Sequence, residues 1–336
     1  MKLIVQIPCL NEEANIAQTV AEIPRQIDGV DVVEILVIDD GSTDHTITAA
    51  RMAGVDHIVR NRRNIGLARS FRRGLDACLS LGADIIVNTD GDNQYCGADI
   101  PKLIAPILRG EADMVIGDRD TANIPHFSPL KKALQFLGSR VVRTLAGIHV
   151  SDTVSGFRAF DRDAAIRLNI VSSFSYTIET VIQGGKRQLA VTSVKVRTNQ
   201  TARPSRLFRS IPHFIVNSLV TMVRMYAMYQ PLRVFFYIGS LLIGLGLLPV
   251  GRFLYFYLVQ QGAGHIQSLQ LGSALIVVGL VTYLVGLVAD LISFNRQLLE
   301  MTLERVKRLE LAVSQHNIAK SQDAKAAAKA ATKESQ

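Results

Sequence analysis

Two long apolar runs near the carboxyl end constrain the fold of this 336-residue chain more than any other feature. Residues 234–258 and 271–293 each approach the ~20 apolar residues that a helix needs to cross a bilayer. Neither run is free of charge, because the first contains Arg252 and the second ends near Asp290. A buried helical hairpin in a soluble protein is the alternative interpretation. The pattern predicts two transmembrane helices.

Positive charge flanks both runs, whereas the link between them, residues 260–270, contains no Lys or Arg. The flanking cations are Arg203, Arg206, Arg209, Arg224 and Arg233 on one side and Arg296, Arg305, Lys307 and Arg308 on the other. Loops rich in Lys and Arg stay on the cytoplasmic side of a membrane. We therefore expect a two-pass integral membrane protein whose amino-terminal domain and both termini are cytoplasmic.

The composition agrees with a membrane-associated protein in a reducing compartment. The chain is 48% hydrophobic and carries a formal net charge of +8. Its three cysteines, Cys9, Cys78 and Cys96, have no metal-site or disulfide-framework spacing. Only residues 315–336, rich in Ala and Lys, have the low complexity of a frayed helix or a disordered tail.

Residues 1–200 alternate short apolar runs with amphipathic stretches, which is typical of an α/β domain with a mostly parallel sheet. The predicted strands are 2–8, 34–39, 57–60, 83–90, 112–117 and 189–196. The predicted helices are 14–26, 43–53, 66–81, 99–109, 129–146 and 175–186. Runs such as 35–38 and 85–87 are apolar on both faces, as expected for strands covered by helices on each side.

Polar residues follow three of these strands, in segments 8–12, 39–42 and 89–92. Ligands of parallel sheets bind at the carboxyl ends of the strands, so this edge is the predicted site. Asp90 and Asp92 would repel each other unless a proton or a divalent cation neutralised them, and oxygen ligands suit Mg²⁺ or Mn²⁺. One acidic turn alone is weak evidence. Two at successive strand ends indicate a nucleotide held together with its metal.

Residues 205–230 combine cations with apolar residues near helical spacing. We expect amphipathic helices in the membrane interface here, although the same residues would also dock the soluble domain onto the transmembrane hairpin. The predicted division of the chain is an α/β domain at 1–200, juxtamembrane helices at 201–232, two transmembrane helices at 233–295, and a cytoplasmic helix with a disordered tail at 296–336.

Several motifs resemble those of a known enzyme family. Segments 8–13, 39–44, 64–68 and 90–94 are similar to family-2 glycosyltransferases, which have the Rossmann-like GT-A fold. Segments 117–119 and 152–159 narrow the resemblance to polyprenyl-phosphate glycosyltransferases of the dolichyl-phosphate mannose synthase group, in the branch with two transmembrane segments. The chain departs from that pattern at Gly91, where Ala is usual, and at 93–95 and 203–207.

The resemblance implies roles for individual residues. A nucleotide-sugar site would be lined by Pro8, Asn11, Glu12, Asp39, Asp40, Asp90 and Gln94. The ligands of Mg²⁺ or Mn²⁺ would be Asp90, Asp92 and Gln94. The catalytic candidates are Asp92, Arg119, Asp152 and Arg158, and the candidates for the acceptor phosphate are Lys131, Ser139, Arg140 and Arg206. Guanidinium groups grip phosphate oxygens in bidentate fashion. Each lone arginine is also consistent with a solvated surface charge.

The implied reaction is a single displacement, with inversion, of a nucleoside diphosphate by polyprenyl phosphate. A phosphate monoester with a second pKa near ~6 is largely anionic at pH 7 and needs no strong base. We therefore expect Asp152 to orient the acceptor or the metal shell. The expected partners are a nucleotide sugar, with a UDP-sugar favoured over GDP-mannose, polyprenyl phosphate, membrane lipids and further copies of the chain, as a homo-oligomer such as a tetramer.

Three alternatives remain open. A processive polysaccharide synthase normally carries a Gln-x-x-Arg-Trp site, and this chain has no Trp. A nucleotidyltransferase would use similar carboxylates but does not account for segment 155–158. A membrane-tethered nucleotide-sugar sensor or scaffold would bind the donor without turnover. Nucleic-acid binding is disfavoured, because the cations cluster at the membrane flanks instead of on an aromatic platform.

Overall fold

The computed structural model describes residues 1–120, 139–140, 142–144, 146–148, 150–171, 176–199, 220, 229–259 and 265–334, with side chains as far as residue 313. The chain divides into two compact units. One comprises Met1–Ser218 together with Glu304–Gln336, and the other comprises Leu219–Leu303.

A seven-stranded sheet forms the centre of the first unit. Its strands are β1 Lys2–Cys9, β2 Val32–Asp39, β3 His57–Arg60, β4 Ile85–Asn88, β5 Met114–Asp118, β6 Arg158–Asp161 and β7 Val191–Lys195. They are ordered β3-β2-β1-β4-β6-β5-β7, and only β6 runs antiparallel to its neighbours among the described strands. The predicted α/β class with a mostly parallel sheet is confirmed.

Helices cover both faces of the sheet. They are α1 Ile16–Ala21, α2 Thr46–Met52, α3 Leu67–Ser80, α4 Ile100–Leu108, α5 Arg162–Arg167 and α6 Tyr176–Lys186. Alternate residues of β1 face opposite sides, so Leu3, Val5 and Ile7 join the core cluster with α1 and α4. On the other face α3 lies so close that a Cβ on Gly74 would be 2.8 Å from Ile38 Cδ1.

The predicted elements differ from the structure for identifiable reasons. The predicted helix 14–26 is confined to α1, which ends at Ala21, because Pro24 cannot continue a helix. The prediction also lacked β6 and α5, which have only four and six residues and are too short to show a clear period. Of the predicted helix 129–146, residues 129–138 lie outside the described residues, and those described from 139 to 146 are helical.

The second unit contains α7 Pro231–Val259 and the beginning of α8 Ile266–Glu334. Pro231–Val259 and Ile266–Val313 are long and apolar enough to cross a membrane, with mean hydropathies of 2.0 and 2.5 in their most apolar windows. The helices approach closely at small residues, since a Cβ on Gly246 would be 2.8 Å from the Gly272 carbonyl oxygen. Such contacts are typical of helix pairs in lipid. The predicted division of the chain into four segments stays a prediction.

Candidate active site

The end of β2 presents a buried carboxylate with one unused oxygen. Asp39 is fully buried, and its Oδ1 accepts a hydrogen bond from the Ser42 backbone N–H at 3.0 Å. Its Oδ2 forms an ion pair with Arg60 Nε at 3.4 Å but accepts no hydrogen bond from any described residue. A buried acceptor without a donor is costly, so this atom is suited to a ligand N–H group such as that of a nucleotide base.

Pro8 is buried near the end of β1. The loop that follows β1 is hydrogen-bonded to the residues at the start of α2. Asn11 adopts a positive φ of 54°; its backbone N–H donates to Ser42 Oγ at 2.9 Å and its Oδ1 accepts from the Thr43 N–H at 2.8 Å. The Glu12 N–H donates to Thr46 Oγ1 at 2.8 Å. The first two predicted nucleotide-binding segments are therefore joined into one rigid edge.

Asp40 holds a loop instead of facing open space. Its Oδ1 accepts from Asn61 Nδ2 and from the Ile65 N–H, and its Oδ2 accepts from the Gly66 N–H, each at 2.9 Å. Gly66 has a φ of +93°, which glycine adopts at little cost, and it precedes α3 directly. The contacts assign Asp40 the role of shaping the β3–α3 turn, and its predicted contact with a nucleotide stays a prediction.

Asp90 and Asp92 follow β4 at the same edge of the sheet. Burial, together with the negative charges of Asp92 and Glu12, raises the pKa of Asp90 to about 7, although Arg119 opposes this. The Asp92 Oδ1 accepts from the Gln94 N–H at 3.1 Å, which closes a tight acidic turn.

Close packing favours glycine at one position of the acidic turn and at one position of the neighbouring 152–156 loop. A Cβ on Gly91 would be 2.8 Å from Cys9 Sγ, so the departure from the usual Ala accompanies the bulky sulfur of Cys9. A Cβ on Gly156 would be 2.9 Å from Asp90 Oδ2 and 2.8 Å from the Tyr176 hydroxyl. Gly156 therefore brings the 152–156 loop into contact with the Asp90 carboxylate.

The acidic turn fits a hard divalent cation. Among the described residues, no group of three or more His, Cys, Asp and Glu side chains is placed to hold a metal by itself. Asp90 and Asp92 nevertheless provide two carboxylates whose repulsion a cation would relieve. Mg²⁺ and Mn²⁺ accept such incomplete oxygen sets and fill the remaining positions with water and substrate phosphates.

A buried ion pair stands beside these carboxylates. Arg119 Nε and Nη2 donate to the two oxygens of Asp152, at 2.6 and 3.1 Å. Asp152, only 2% exposed, also accepts the N–H groups of Val154 and Ser155 at 3.2 and 3.1 Å. Arg119 in turn interacts electrostatically with Asp90. The pair thus connects the end of β5 to the 152–156 loop.

Arg158, predicted as a catalytic phosphate contact, is fully buried at the start of β6. Its Nε donates to the Ser155 carbonyl at 2.7 Å, and its Nη1 and Nη2 donate to the carbonyls of Thr177 and Thr153 at 2.7 and 2.9 Å. Burial lowers its pKa to about 10, which leaves it charged at pH 7. These contacts make Arg158 a support of the 152–156 loop, and its contact with a phosphate stays untested.

Part of the predicted acceptor-phosphate set is described. Ser139 is buried and accepts a hydrogen bond from Thr153 Oγ1 at 3.1 Å, which brings it to the 152–156 loop. Arg140 is exposed on the same helical segment. Lys131 and Arg206 lie outside the described residues.

Two tyrosines that the sequence did not single out as site residues lie around Gly156. The Tyr95 hydroxyl accepts from the Gly156 N–H at 2.9 Å, and burial raises the pKa of Tyr95 to about 12, so it stays protonated. Asn88 Nδ2 donates to the Gly156 carbonyl and to the Tyr176 hydroxyl, each at 2.9 Å. The signal for this network was Asn88, a polar residue in an otherwise apolar strand.

Comparisons with known proteins agree with this geometry. The family model described as glycosyl transferase family 2 matches residues 4–168. A protein of Mycobacterium bovis named as a glycosyltransferase is 30% identical over 180 residues, covering 53% of this chain and 77% of the relative. This chain belongs to glycosyl transferase family 2. The predicted recognition as a family-2 enzyme is confirmed, and the protein is a glycosyltransferase.

Two further relatives of this glycosyltransferase have names that state an acceptor. One is the UDP-N-acetylglucosamine–dolichyl-phosphate N-acetylglucosaminyltransferase of Methanococcus voltae, 29% identical over 58% of this chain and 84% of the relative. The other is the undecaprenyl-phosphate mannosyltransferase of Micrococcus luteus, 27% identical over 52% of this chain and 74% of the relative.

The fold of the glycosyltransferase is similar to a solved structure of glucosyl-3-phosphoglycerate synthase from Mycobacterium tuberculosis, in complex with Mn²⁺, UDP-glucose and glycerol 3-phosphate. The TM-score is 0.50 at 25% identity, over 66% of this chain and 79% of the other. The likeness confirms the predicted GT-A-like architecture.

Proposed function

We propose that this glycosyltransferase transfers a sugar from a UDP-sugar to polyprenyl phosphate, with inversion and with a divalent cation, at the cytoplasmic face of a membrane. The relatives that act on dolichyl phosphate and undecaprenyl phosphate support the acceptor class. The two helices long and apolar enough to cross a membrane support an acceptor that resides in lipid.

The observation that carries the proposal is the meeting of opposite charges at the end of β4. Asp90 and Asp92 form the acidic turn, and Arg119, bound to Asp152, interacts electrostatically with Asp90. A donor diphosphate with its cation fits the acidic turn, and an acceptor phosphate fits a guanidinium. The two substrates would therefore meet between these groups.

The proposed reaction requires little proton transfer by the protein. An acceptor phosphate oxygen forms a bond to the anomeric carbon as the bond from that carbon to the diphosphate oxygen breaks, and the electron pair leaves with the diphosphate. Asp90, Asp92 and Gln94 would hold Mg²⁺ or Mn²⁺, which supplies positive charge for the departing diphosphate.

The surrounding residues act by orientation. Asp152 would hold the Arg119 guanidinium toward the acceptor and would not act as a base, because both of its oxygens already accept from Arg119. Asp39 Oδ2 would accept an N–H of the base, with Pro8, Asn11 and Glu12 forming the adjacent wall.

The sugar donor is the least constrained part of the proposal. The name of the Methanococcus relative and the complex of the structural neighbour both include UDP, which supports a uridine donor. The mannosyltransferase relative keeps GDP-mannose among the donors to be tested. In the membrane, we propose two passes with the catalytic domain and both termini cytoplasmic, and a homo-oligomer. The predicted amphipathic helices at 201–232 lie mostly outside the described residues.

The test uses detergent-purified protein with polyprenyl phosphate, Mg²⁺ or Mn²⁺, and a panel of labelled UDP- and GDP-sugars. We expect label from one donor to enter the organic phase and EDTA to prevent it. The Asp92→Asn variant should insert into membranes normally and transfer nothing. Label transfer by that variant, or full activity in EDTA, would contradict the metal assignment. Nucleotide binding without transfer from any donor would favour the alternative of a membrane-tethered nucleotide-sugar sensor or scaffold.

A further inference from the structure

A carboxylate at the end of α1 contacts the acidic turn that follows β4. Glu22 stands at the end of α1, where its Oε1 accepts from Asn93 Nδ2 at 3.0 Å and its Oε2 accepts from Asn199 Nδ2 at 3.0 Å. Asn93 lies between Asp92 and Gln94, so one of these two hydrogen bonds is made to the acidic turn itself. No residue of the predicted site set makes either contact.

Asn93 is placed where its orientation matters. It adopts a positive φ of 56°, a conformation that Asn tolerates better than most residues, and it is only 8% exposed. Its Oδ1 accepts no hydrogen bond from any described residue, so the Nδ2–Glu22 bond is what fixes the side-chain amide. Because Asn93 is adjacent to Asp92, the same bond restrains the backbone beside the Asp92 carboxylate.

The other oxygen of Glu22 connects the acidic turn to residues 197–199, which pair with residues 94–96. The Asn199 N–H donates to the Gln94 carbonyl at 2.8 Å, and the Cys96 N–H donates to the Arg197 carbonyl at 3.3 Å. Tyr95 and Thr198 form an isolated bridge between these two bonds. Glu22 therefore closes one end of a short two-stranded contact between 94–96 and 197–199.

The backbone at the end of α1 also packs closely against this region. A Cβ on Gly97 would be only 2.7 Å from the Glu22 carbonyl oxygen, so the end of α1 contacts the segment after the acidic turn directly. Glu22 is thus held in place by its backbone and does not need to reach across solvent.

We propose that Glu22 is a positioning residue that sets the geometry of the Asp92 metal turn by binding Asn93 and Asn199 at once. The catalytic role of Glu22 in this inference rests on the proposed function. Its effect on metal affinity can be tested without sugar transfer. A carboxylate is required, because Glu22 accepts from a different side-chain amide at each oxygen.

The test compares Glu22→Gln with Gln18→Ala. The glutamine keeps the size of the side chain but points an NH₂ group at one of the two asparagine NH₂ groups. Gln18 Nε2 contacts the same carboxylate at 3.4 Å without contacting the turn, so its removal is the matched control. Binding of Mn²⁺ in the presence of UDP is measured by the electron paramagnetic resonance of free Mn²⁺, together with thermal unfolding of each variant.

We expect Glu22→Gln to weaken Mn²⁺ binding about tenfold, a shift of ~1.4 kcal/mol, with thermal unfolding close to that of the wild type. Gln18→Ala should bind Mn²⁺ as the wild type does. Asn93→Gly, which tolerates a positive φ, should weaken binding in the same direction. Unchanged Mn²⁺ affinity in folded Glu22→Gln and Asn93→Gly would overturn the inference.

The transfer assay separates this inference from the proposed function. If the wild type binds Mn²⁺ and UDP but transfers no sugar, the proposed function fails, while the binding measurement still tests Glu22. If the wild type transfers sugar, Glu22→Gln should need about tenfold more Mn²⁺ for half-maximal rate and should approach the wild-type kcat at saturating Mn²⁺. An equal loss of kcat at every Mn²⁺ concentration would overturn the positioning role.

Discussion

The Arg119–Asp152 pair provides the sharpest test of how the proposed acceptor phosphate is oriented. In Asp152→Asn, an NH₂ group would replace the oxygen that faces Arg119 Nε at 2.6 Å, while the remaining oxygen could still accept from the Val154 and Ser155 N–H groups. The loop would keep its shape, and the guanidinium would lose one of its two charged hydrogen bonds.

The size of the effect follows from that lost bond. A hydrogen bond to a charged group contributes roughly 1.5–3 kcal/mol, which corresponds to a loss of about 10- to 150-fold in kcat/KM for polyprenyl phosphate. Removing a general base costs roughly 10²- to 10⁴-fold. Because these ranges overlap, the magnitude alone does not distinguish positioning from base catalysis.

A double-mutant cycle with Arg119→Met makes the distinction. If Asp152 acts only through Arg119, the double variant should be little worse than Arg119→Met, since neighbouring groups that act as a unit are not additive. Initial rates of label transfer are measured from pH 6 to 9 for all four proteins. Fully additive losses, accompanied by disappearance in Asp152→Asn of an ionisation that the wild-type rate displays, would refute the reasoning.

Three further outcomes are expected from the same geometry. Gly156→Ala places a methyl carbon 2.9 Å from Asp90 Oδ2 and should reduce Mn²⁺-dependent UDP binding at least tenfold; calorimetric titration with normal affinity would contradict this. Arg158→Met removes a guanidinium that donates to three buried carbonyls and should lower the free energy of unfolding by about 3–5 kcal/mol, seen as a lower melting temperature. An altered KM with unchanged unfolding would instead indicate a substrate contact. Burial and the charge of Asp92 raise the pKa of Asp90 to about 7. Protons should therefore compete with Mn²⁺ below that pH, and the Mn²⁺ affinity should rise toward a plateau above it. A Mn²⁺ affinity that does not change between about pH 5.5 and 8.5 would argue against Asp90 as a ligand.

The structure accounts for Gly91, which stands where related enzymes usually have Ala. The sequence alone shows the difference without a reason for it. In the structure, the space that an Ala Cβ would take is filled by Cys9 Sγ at 2.8 Å, with Glu12 Cγ at 3.3 Å. The glycine at position 91 therefore leaves room for the Cys9 side chain beside the acidic turn.

The sequence by itself determined the periodic features of this protein. The alternation of apolar runs and amphipathic stretches specified the α/β domain, and two long apolar runs specified helices able to span a membrane. The acidic residues at strand ends located the candidate site, because parallel strands bring their carboxyl ends to one edge. Each of these features depends on neighbours along the chain.

Only the tertiary structure decided what individual polar residues do. Arg158 and Asp40 carry the same charges as substrate-binding groups, yet their donors and acceptors are directed to backbone atoms of other segments. Glu22 lies 71 residues from Asn93 and 177 from Asn199, and no local pattern connects them. The role of a polar group depends on which partners folding brings within hydrogen-bond distance, and those partners are remote in the sequence.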